Sequence, residues 1–316
     1  MYRLGIDLGG TNIVAGVVDE EYKIIAKASC KTNVPRPESD ICDSMAEVAV
    51  KACEKAGISI DDVESIGIGV PGAVNPKTGV VAYSANLYFN NWEVTKMMSE
   101  RLGKKVIIEN DANAAALGEY LAGAAKGAKN AVAITLGTGV GGGIIINGNI
   151  YSGSNYAGAE LGHIVIVKDG KECGCGRKGC WEAYSSATGL INMTKAKILS
   201  EKLDFSYMLK QVGGDINKVN GKTAFDAAAA GDPDAQEVLD EYFSYLATGL
   251  VNIINIFQPD VLCIGGGISN QGENLLSPLR KIIEEERYSK HTDKQTMLCT
   301  CTLGNDAGII GAAFLD

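Results

Sequence analysis

The chain has 316 residues, of which 46% are hydrophobic and 21% are charged, which is typical of a globular protein with two domains or lobes. Its net charge of -9 excludes general nucleic-acid binding, because no basic stripe is present to neutralise phosphates. No apolar run reaches membrane-spanning length, and the chain opens directly into a predicted strand without a secretory leader, so we expect a cytoplasmic protein without a membrane partner.

The predicted elements alternate between strands and helices, which indicates an α/β protein. Ser39 or Asp40 is expected to cap the first helix, and Gly57 is expected to end it. No low-complexity linker separates domains. In chain order, the predicted strands span 2–8, 11–18, 23–28, 63–70, 105–109, 130–136, 143–146, 261–264 and 297–302, and the predicted helices span 39–56, 112–122, 234–257, 271–286 and 307–315.

Two glycine-rich turns form a weak internal repeat. Residues 5–11 read GIDLGGT and residues 133–139 read AITLGTG, and each turn joins two predicted strands. Such turns present main-chain N–H groups and a hydroxyl to phosphate groups. Neither is a P-loop, because the Gly-Lys-Ser/Thr ending is missing and a strand follows. Each alone could be a hairpin turn. Together with the glycine triplet 265–267 after another strand, they indicate a polyphosphate site.

One histidine and three cysteines are spaced as metal ligands. His163 precedes Cys173, Cys175 and Cys180, with glycines between them. One imidazole and three thiolates form the ligand set of a closed tetrahedral zinc site. The alternatives are a disulfide with a leftover thiol, and an iron–sulfur cluster. Nine cysteines, an odd number, without a leader favour a reducing compartment, and a histidine among the ligands favours zinc over iron–sulfur.

Further motifs accompany the cysteine cluster and the glycine-rich turns: DLGGTN at 7–12, GVPG at 69–72, ENDAN at 109–113, LGTGVGGG at 136–143 and GAELGH at 158–163. On these motifs the chain resembles the ROK family of sugar kinases and repressors along essentially its whole length, and its glucokinases most closely. The family implies two ribonuclease-H-like lobes of the actin/hexokinase/Hsp70 superfamily closing over a central cleft. Residues 1–115 would form the small lobe, with a helix at about 303–316 returning to it, and residues 116–302 would form the large lobe carrying the zinc loop.

Asp111 is the candidate catalytic base. It follows a predicted strand, at the edge of an α/β sheet where ligands bind. Phosphoryl transfer to an alcohol needs a base against the hydroxyl, and a carboxylate can serve. On sequence alone, a role for Asp111 as the cap of the following helix is favoured, and the two roles are compatible. The resemblance implies the catalytic role, because this aspartate matches the general base of the family.

The resemblance also implies the remaining site residues. His163 would bind zinc through one ring nitrogen and direct the other to the sugar or a carboxylate. Asp7 would hold Mg²⁺ through water. The sugar would contact Asn86, Asn110, Asp111, Glu160, His163 and Glu182; ATP would contact Asp7, Gly9, Gly10, Thr11, Asn12, Thr138, Gly139, Gly265 and Gly266; and structural zinc would be bound by His163, Cys173, Cys175 and Cys180.

The function implied is an ATP-dependent hexokinase acting on the 6-hydroxyl of glucose. Other hexoses, namely N-acetylglucosamine, N-acetylmannosamine, mannose and fructose, remain alternatives, as do polyphosphate or ADP as phosphoryl donor. A sugar-sensing repressor is disfavoured, because the chain begins at the phosphate strand rather than at a helix-turn-helix. A superfamily ATPase with an iron–sulfur cluster is a further alternative. The family also implies a homo-oligomer, a dimer or tetramer.

Overall fold

The computed structural model describes residues 1–200 and 206–315, which form two compact units. Unit 1 comprises Met1–Ala133, Gly143–Ala159 and the residues from Thr302 onward, and unit 2 comprises Ile134–Gly142 and Glu160–Cys301. The lobes predicted at 1–115 and 116–302 stay a prediction. The two compact units divide the chain at other residues, and each unit is made of more than one segment.

The described residues form strands and helices in alternation, which confirms the predicted α/β class. In chain order they are β1 (Tyr2–Leu8), β2 (Asn12–Asp19), β3 (Ile24–Lys31), α1 (Glu38–Ala56), β4 (Val63–Val70), β5 (Ala73–Asn75), β6 (Val80–Ser84), β7 (Phe89–Trp92), α2 (Val94–Leu102), β8 (Val106–Asn110), α3 (Asp111–Ala122), β9 (Ala131–Leu136), β10 (Val140–Ile146), β11 (Asn149–Ile150), α4 (Glu182–Ser185), α5 (Ala187–Ser200), α6 (Tyr207–Gln211), α7 (Thr223–Ala229), α8 (Pro233–Phe257), β12 (Val261–Gly265), α9 (Glu273–Glu286), β13 (Met297–Thr300) and α10 (Ala307–Ala313).

The central sheet of unit 1 has the strand order β3-β2-β1-β4-β8, and β1 runs antiparallel to β2 but parallel to β4. Side chains alternate between the two faces of β1. Leu4 and Ile6 are fully buried in the same core as Met45 of α1. Gly5, between them, faces α10, where an added methyl group would lie 1.9 Å from the carbonyl oxygen of Ile309. The sheet is therefore covered by α1 on one face and by α10 on the other.

Helix α10 lies directly against α3 because glycine removes the side chain at their crossing. A methyl group built on Gly311 would lie 1.7 Å from the carbonyl oxygen of Ala114. The approach brings the first turn of α10 to the end of β1, where a methyl group on Gly308 would lie 3.2 Å from the carboxyl carbon of Asp7. The return of the C-terminal residues thus helps to bury Asp7.

A second sheet has the strand order β11-β10-β9-β12-β13. In unit 2, β12 and β13 pair in parallel, and the long helix α8 packs on α9. Helix α8 begins at Pro233, one residue before the predicted start: the Asp232 side chain caps it by accepting a hydrogen bond from the Asp234 N–H at 3.0 Å. Trp181 is fully buried and donates from its indole nitrogen to the carbonyl oxygen of Tyr245 on α8.

The strongly periodic elements are confirmed, with boundaries that agree with the predicted ones to within three residues. Gly57 ends α1 in the left-handed conformation, with φ of 73°, as predicted. The predicted cap of α1 is wrong: the helix begins at Glu38 after Pro37, and no side chain caps it. The helix predicted to begin at Gln271 begins at Glu273.

The small antiparallel sheet with the order β5-β6-β7 and helix α2 were not predicted from the sequence. The strands of this sheet are short and carry exposed polar and aromatic side chains, such as Tyr83 and Asn90, instead of a regular apolar pattern. Within the described residues, no helix combines the length and apolar character needed to cross a membrane.

Candidate active site

The turn between β8 and α3 holds Asn110 and Asp111. Asn110 is the N-cap of α3, and its side-chain oxygen accepts hydrogen bonds from the N–H groups of Ala112 at 2.9 Å and Asn113 at 3.1 Å. Its side-chain nitrogen donates to the carbonyl oxygen of Gly72 at 3.0 Å. Asn110 is therefore the N-cap, although Oδ1 of Asp111 also accepts from the Ala112 N–H at 2.9 Å. Asp111 is the first residue of the helix, placed at the end of a parallel strand.

Asp7 and Asp111 form a carboxylate pair in unit 1. Burial, and then the neighbouring Asp111 carboxylate, raise the pKa of Asp7 from 3.8 to about 6. The cause lies in the fold, because the face of β1 that carries Asp7 is covered by α10. Two carboxylates close enough to repel each other are an arrangement that a divalent cation or a proton stabilises. The pair can thus hold a cation and supply a base.

Glu109 is a site residue that the sequence analysis missed. Its side chain is only 5% exposed, and one oxygen accepts from the Asn110 N–H at 2.8 Å and from the Asn113 side-chain nitrogen at 3.0 Å. The other oxygen accepts from the Ser152 hydroxyl at 3.3 Å. A carboxylate at the end of the apolar run 106–108 was the available signal, because buried charges are retained only with partners. Glu109 holds the turn that carries Asn110 and Asp111.

Thr32, the residue after β3, holds the first glycine-rich turn by two hydrogen bonds. The hydroxyl of Thr32 donates to the carbonyl oxygen of Gly9 at 2.6 Å, and the Thr32 N–H donates to the carbonyl oxygen of Thr11 at 2.9 Å. Thr11 itself is exposed. Asn86 lies beside this turn, since a methyl group on Gly10 would come within 3.5 Å of its carbonyl oxygen. Unit 1 therefore brings Asn86 to the first turn, as it brings Asp7 to Asp111.

The second glycine-rich turn, at residues 137–140 of unit 2, is held by the segment 182–188. The N–H of Ala187 donates to the carbonyl oxygen of Gly137 at 2.9 Å, and the Thr188 hydroxyl donates to that of Thr138 at 2.8 Å. The turn is next to the other predicted glycines of unit 2, because a methyl group on Gly266 would lie 2.4 Å from the carbonyl oxygen of Leu136. Thr138 and Gly266 are both exposed.

Four side chains of unit 2 converge as a candidate metal centre. The ligand atoms of His163, Cys173, Cys175 and Cys180 all lie within 4.8 Å of one another. The Cys173 sulfur is 3.7 Å from Nδ1 of His163, and the sulfurs of Cys175 and Cys180 are 3.6 Å apart. All nine cysteines are free thiols, so the disulfide alternative is not realised. The set predicted from sequence spacing is the set that the fold brings together.

The loop around these ligands is closed by its own backbone. The N–H of Cys173 donates to the carbonyl oxygen of Arg177 at 2.9 Å, and the N–H of Gly179 donates to that of Lys171 at 2.8 Å. Burial raises the pKa of the Cys180 thiol to about 12, whereas the Arg177 N–H lowers the pKa of Cys175. These opposite shifts follow from position, because Cys180 is buried and Cys175 is exposed. A bound cation would favour the thiolate form of both.

The two nitrogens of His163 face different groups. Nδ1 is on the side of the cysteine sulfurs, while Nε2 is 4.0 Å from a carboxylate oxygen of Glu160. The predicted division of the ring between a metal and the sugar or a carboxylate stays a prediction.

Both carboxylate oxygens of Glu182 have partners within unit 2. Its Oε2 accepts from the Val140 N–H at 2.9 Å, and its Oε1 lies 3.7 Å from the Cys173 sulfur. Its predicted contact with a sugar stays a prediction.

Comparison with known proteins places the chain among sugar kinases and their relatives. The model of the ROK family matches residues 3–316. The chain is 37% identical to a glucokinase of Thermotoga maritima, over 98% of this chain and 95% of that protein. It is 28% identical to the xylose repressor of Bacillus subtilis, over 98% of this chain and 75% of that protein.

Solved structures agree with this placement. A ROK family glucokinase from Streptomyces griseus in complex with glucose and AMPPNP is 36% identical, with a TM-score of 0.81 over 99% of this chain and 98% of that chain. A ROK hexokinase from Thermus thermophilus is 31% identical, with a TM-score of 0.82 over 99% of this chain and 97% of that chain. The prediction of the actin/hexokinase/Hsp70 superfamily fold is thereby confirmed.

Proposed function

The chain belongs to the ROK family, and on this premise we propose that it is an ATP-dependent glucokinase, which transfers the γ-phosphoryl group of ATP to the 6-hydroxyl of glucose. The observation that carries the proposal is the carboxylate pair of Asp7 and Asp111 at the strand ends of unit 1. Phosphoryl transfer to an alcohol needs a base at the hydroxyl and compensation of the phosphate charge, and little other covalent chemistry.

Asp111 is the proposed general base. It accepts the proton of the 6-hydroxyl as the hydroxyl oxygen attacks the γ-phosphorus and ADP leaves. The N-cap duty of α3 falls on Asn110, so the helix supports the turn without requiring Asp111 as its cap. Glu109 and Asn110 together fix the backbone from which Asp111 projects.

Asp7 is the proposed magnesium carboxylate. Its raised pKa fits that role, because a buried carboxylate beside a second carboxylate gains stability from a nearby cation. Mg²⁺ keeps most of its water ligands, so one carboxylate acting through water is sufficient. When bound, the ion would neutralise charge on the ATP phosphates.

The nucleotide is proposed to contact the glycine-rich turns within each unit. In unit 1 these residues are Gly9, Gly10, Thr11 and Asn12, and in unit 2 they are Thr138, Gly139, Gly265 and Gly266. Backbone N–H groups of such turns bind phosphate oxygens. The exposure of Thr11 and Thr138 supports this role, because the rest of each turn is fastened to its own unit.

The sugar is proposed to be recognised by amide and carboxylate side chains: Asn86, Asn110 and Asp111 in unit 1, and Glu160, His163 and Glu182 in unit 2. Groups of this kind reject a sugar that lacks a hydroxyl, because they would then be left unpaired. The choice of glucose rests on the glucokinase relatives.

Zinc is the proposed occupant of the cysteine cluster. Bonds of about 2.3 Å at tetrahedral angles put neighbouring sulfur ligands about 3.8 Å apart. The 3.6 Å between Cys175 and Cys180 and the 3.7 Å between Cys173 and His163 fit that geometry. One imidazole with three thiolates also suits zinc better than iron–sulfur. The free thiols agree with a cytoplasmic location. A homo-oligomer, dimer or tetramer, is proposed from the family resemblance alone.

A phosphorylation assay across a panel of hexoses tests the proposal. Sugar phosphate formation is measured with Mg²⁺ and ATP, polyphosphate or ADP as donor, and ADP release is measured as well where ATP is the donor. The acceptors are glucose, mannose, fructose, N-acetylglucosamine and N-acetylmannosamine. We expect ATP and glucose to give the highest kcat/KM and the product to be the 6-phosphate by ³¹P NMR. Preference for an acetamido sugar would overturn the glucose assignment, and the absence of sugar-dependent ADP release would overturn the kinase assignment. Metal analysis distinguishes zinc from an iron–sulfur cluster, and colour gives a second criterion, because a zinc protein is colourless and an iron–sulfur protein is brown.

A further inference from the structure

The metal loop runs directly into the segment that holds the second glycine-rich turn. Cys180 is a ligand of the candidate metal centre, and Glu182 follows it two residues later at the start of α4. Between them, Trp181 is fully buried, and its backbone N–H donates to the carbonyl oxygen of Ile164 at 2.8 Å. A metal ion that fixes Cys180 therefore fixes the backbone from which the Glu182 side chain projects.

The Glu182 carboxylate spans the distance between the metal cluster and the turn. Oε2 accepts from the Val140 N–H at 2.9 Å, while Oε1 is 3.7 Å from the sulfur of Cys173. The contact with the turn depends on glycine at position 139, because a methyl group there would lie 2.3 Å from Oε2 of Glu182. A carboxylate acceptor makes a stronger hydrogen bond with a backbone N–H than a neutral acceptor does.

The same wall of unit 2 borders a half-open cavity of about 660 Å³, and Thr138, Cys173, Glu182 and Thr188 are among its lining residues. A metal ligand, the bridging carboxylate and the exposed threonine of the turn thus line one concave surface.

We propose that Glu182 is a positioning residue through which metal binding at His163, Cys173, Cys175 and Cys180 sets the geometry of the turn at 137–140, and so raises the affinity for nucleotide. The part concerning nucleotide rests on the proposed function, in which Thr138 and Gly139 bind ATP phosphates. The Glu182 carboxylate is a charged hydrogen-bond acceptor, and the loop closed by the metal holds it in place. Loss of the ion releases that loop, because the loop's folding energy comes in part from metal binding.

Two measurements test the coupling between metal binding and the turn at 137–140. The first is the dissociation constant of Mg·ADP without sugar, by calorimetry, for wild type, Glu182→Ala and the control Asp169→Asn, each with and without zinc. Asp169 is an exposed carboxylate on the same loop. Removal of zinc from wild type should weaken ADP binding about tenfold, at the lower end for a lost hydrogen bond to a charged acceptor.

The Glu182→Ala variant should bind ADP about tenfold more weakly than wild type even with zinc, and zinc removal should then change its affinity little. The control should behave like wild type. A Glu182→Ala variant that lost a further tenfold on zinc removal, or that changed only the glucose KM, would overturn the proposal.

The second measurement is hydrogen exchange of the segment 134–142 in wild type, which needs no variant and no nucleotide. Exchange should become faster when zinc is removed, because the Val140 N–H loses its acceptor. Unchanged exchange would overturn the coupling itself. A zinc-loaded wild type that bound no ADP, but whose segment responded to zinc, would overturn the nucleotide role of the turn and with it the proposed gain in nucleotide affinity.

Discussion

Replacing Asp7 by asparagine should make the metal-free protein more stable while removing its activity. Burial and the nearby Asp111 carboxylate raise the pKa of Asp7 from 3.8 to about 6. The charged form of this side chain therefore destabilises the folded state, because ionisation is harder there than in the unfolded chain. Asparagine has nearly the same shape without the charge, so the substitution removes the penalty.

The magnitude follows from the pKa. Each pKa unit corresponds to about 1.4 kcal/mol, so a rise from 3.8 to about 6 corresponds to about 3 kcal/mol. Below pH 3.8 the carboxyl is protonated in both states and the penalty is absent. As the pH rises from 3.8 to about 6 the unfolded chain ionises first, and above about 6 the penalty is complete. The variant should thus gain little near pH 4 and up to about 3 kcal/mol at pH 7.5.

The assay is urea unfolding of both proteins from pH 4.5 to 8 in EDTA without Mg²⁺, followed by fluorescence. The quantity of interest is the difference in free energy of unfolding between variant and wild type at each pH. Glu54→Gln is the control, since Glu54 is an exposed carboxylate on α1 of the same unit, and its difference should change little with pH. A pH-independent difference for the Asp7 variant, or a variant less stable at pH 7.5, would refute the reasoning.

Three further substitutions test other parts of the site and fold. Asp111→Asn should lower kcat by about 10²–10⁴-fold with glucose affinity nearly intact, as measured by steady-state kinetics and glucose calorimetry, and near wild-type turnover would remove Asp111 as the base. Thr138→Val should raise the KM for ATP or lower kcat without weakening glucose binding; a change in glucose affinity alone would move the turn to the sugar side. Gly311→Ala should lower the free energy of unfolding in urea by about 1–3 kcal/mol or more, because the methyl group meets the Ala114 carbonyl, and an unchanged value would contradict the close helix crossing.

Local patterns in the sequence predicted the parts of this protein that depend on local spacing. The strands at 2–8 and 63–70 have the predicted bounds, because each apolar run ends at glycine or proline residues that are typical of turns. The convergence of the candidate metal ligands was also predictable, since three of the four lie within eight residues. The small sheet β5-β6-β7 was not, because its strands are only three to five residues long, too short to show a period, although Val74, Val81 and Trp92 are fully buried in the core of unit 1.

Tertiary structure alone decided which groups meet at the site. Asp7 and Asp111 are 104 positions apart in the chain, and their mutual repulsion exists only because β1 and β8 flank β4 in one sheet. The contact of Glu182 with the Val140 N–H likewise joins a helix start to a turn 42 residues earlier. Local spacing determines periodicity, turn chemistry and ligand sets, since these depend on neighbouring residues. Charge pairing, burial and the partner of a given carboxylate depend on the packing of distant segments, so the sequence named these residues but only the fold could assign their contacts.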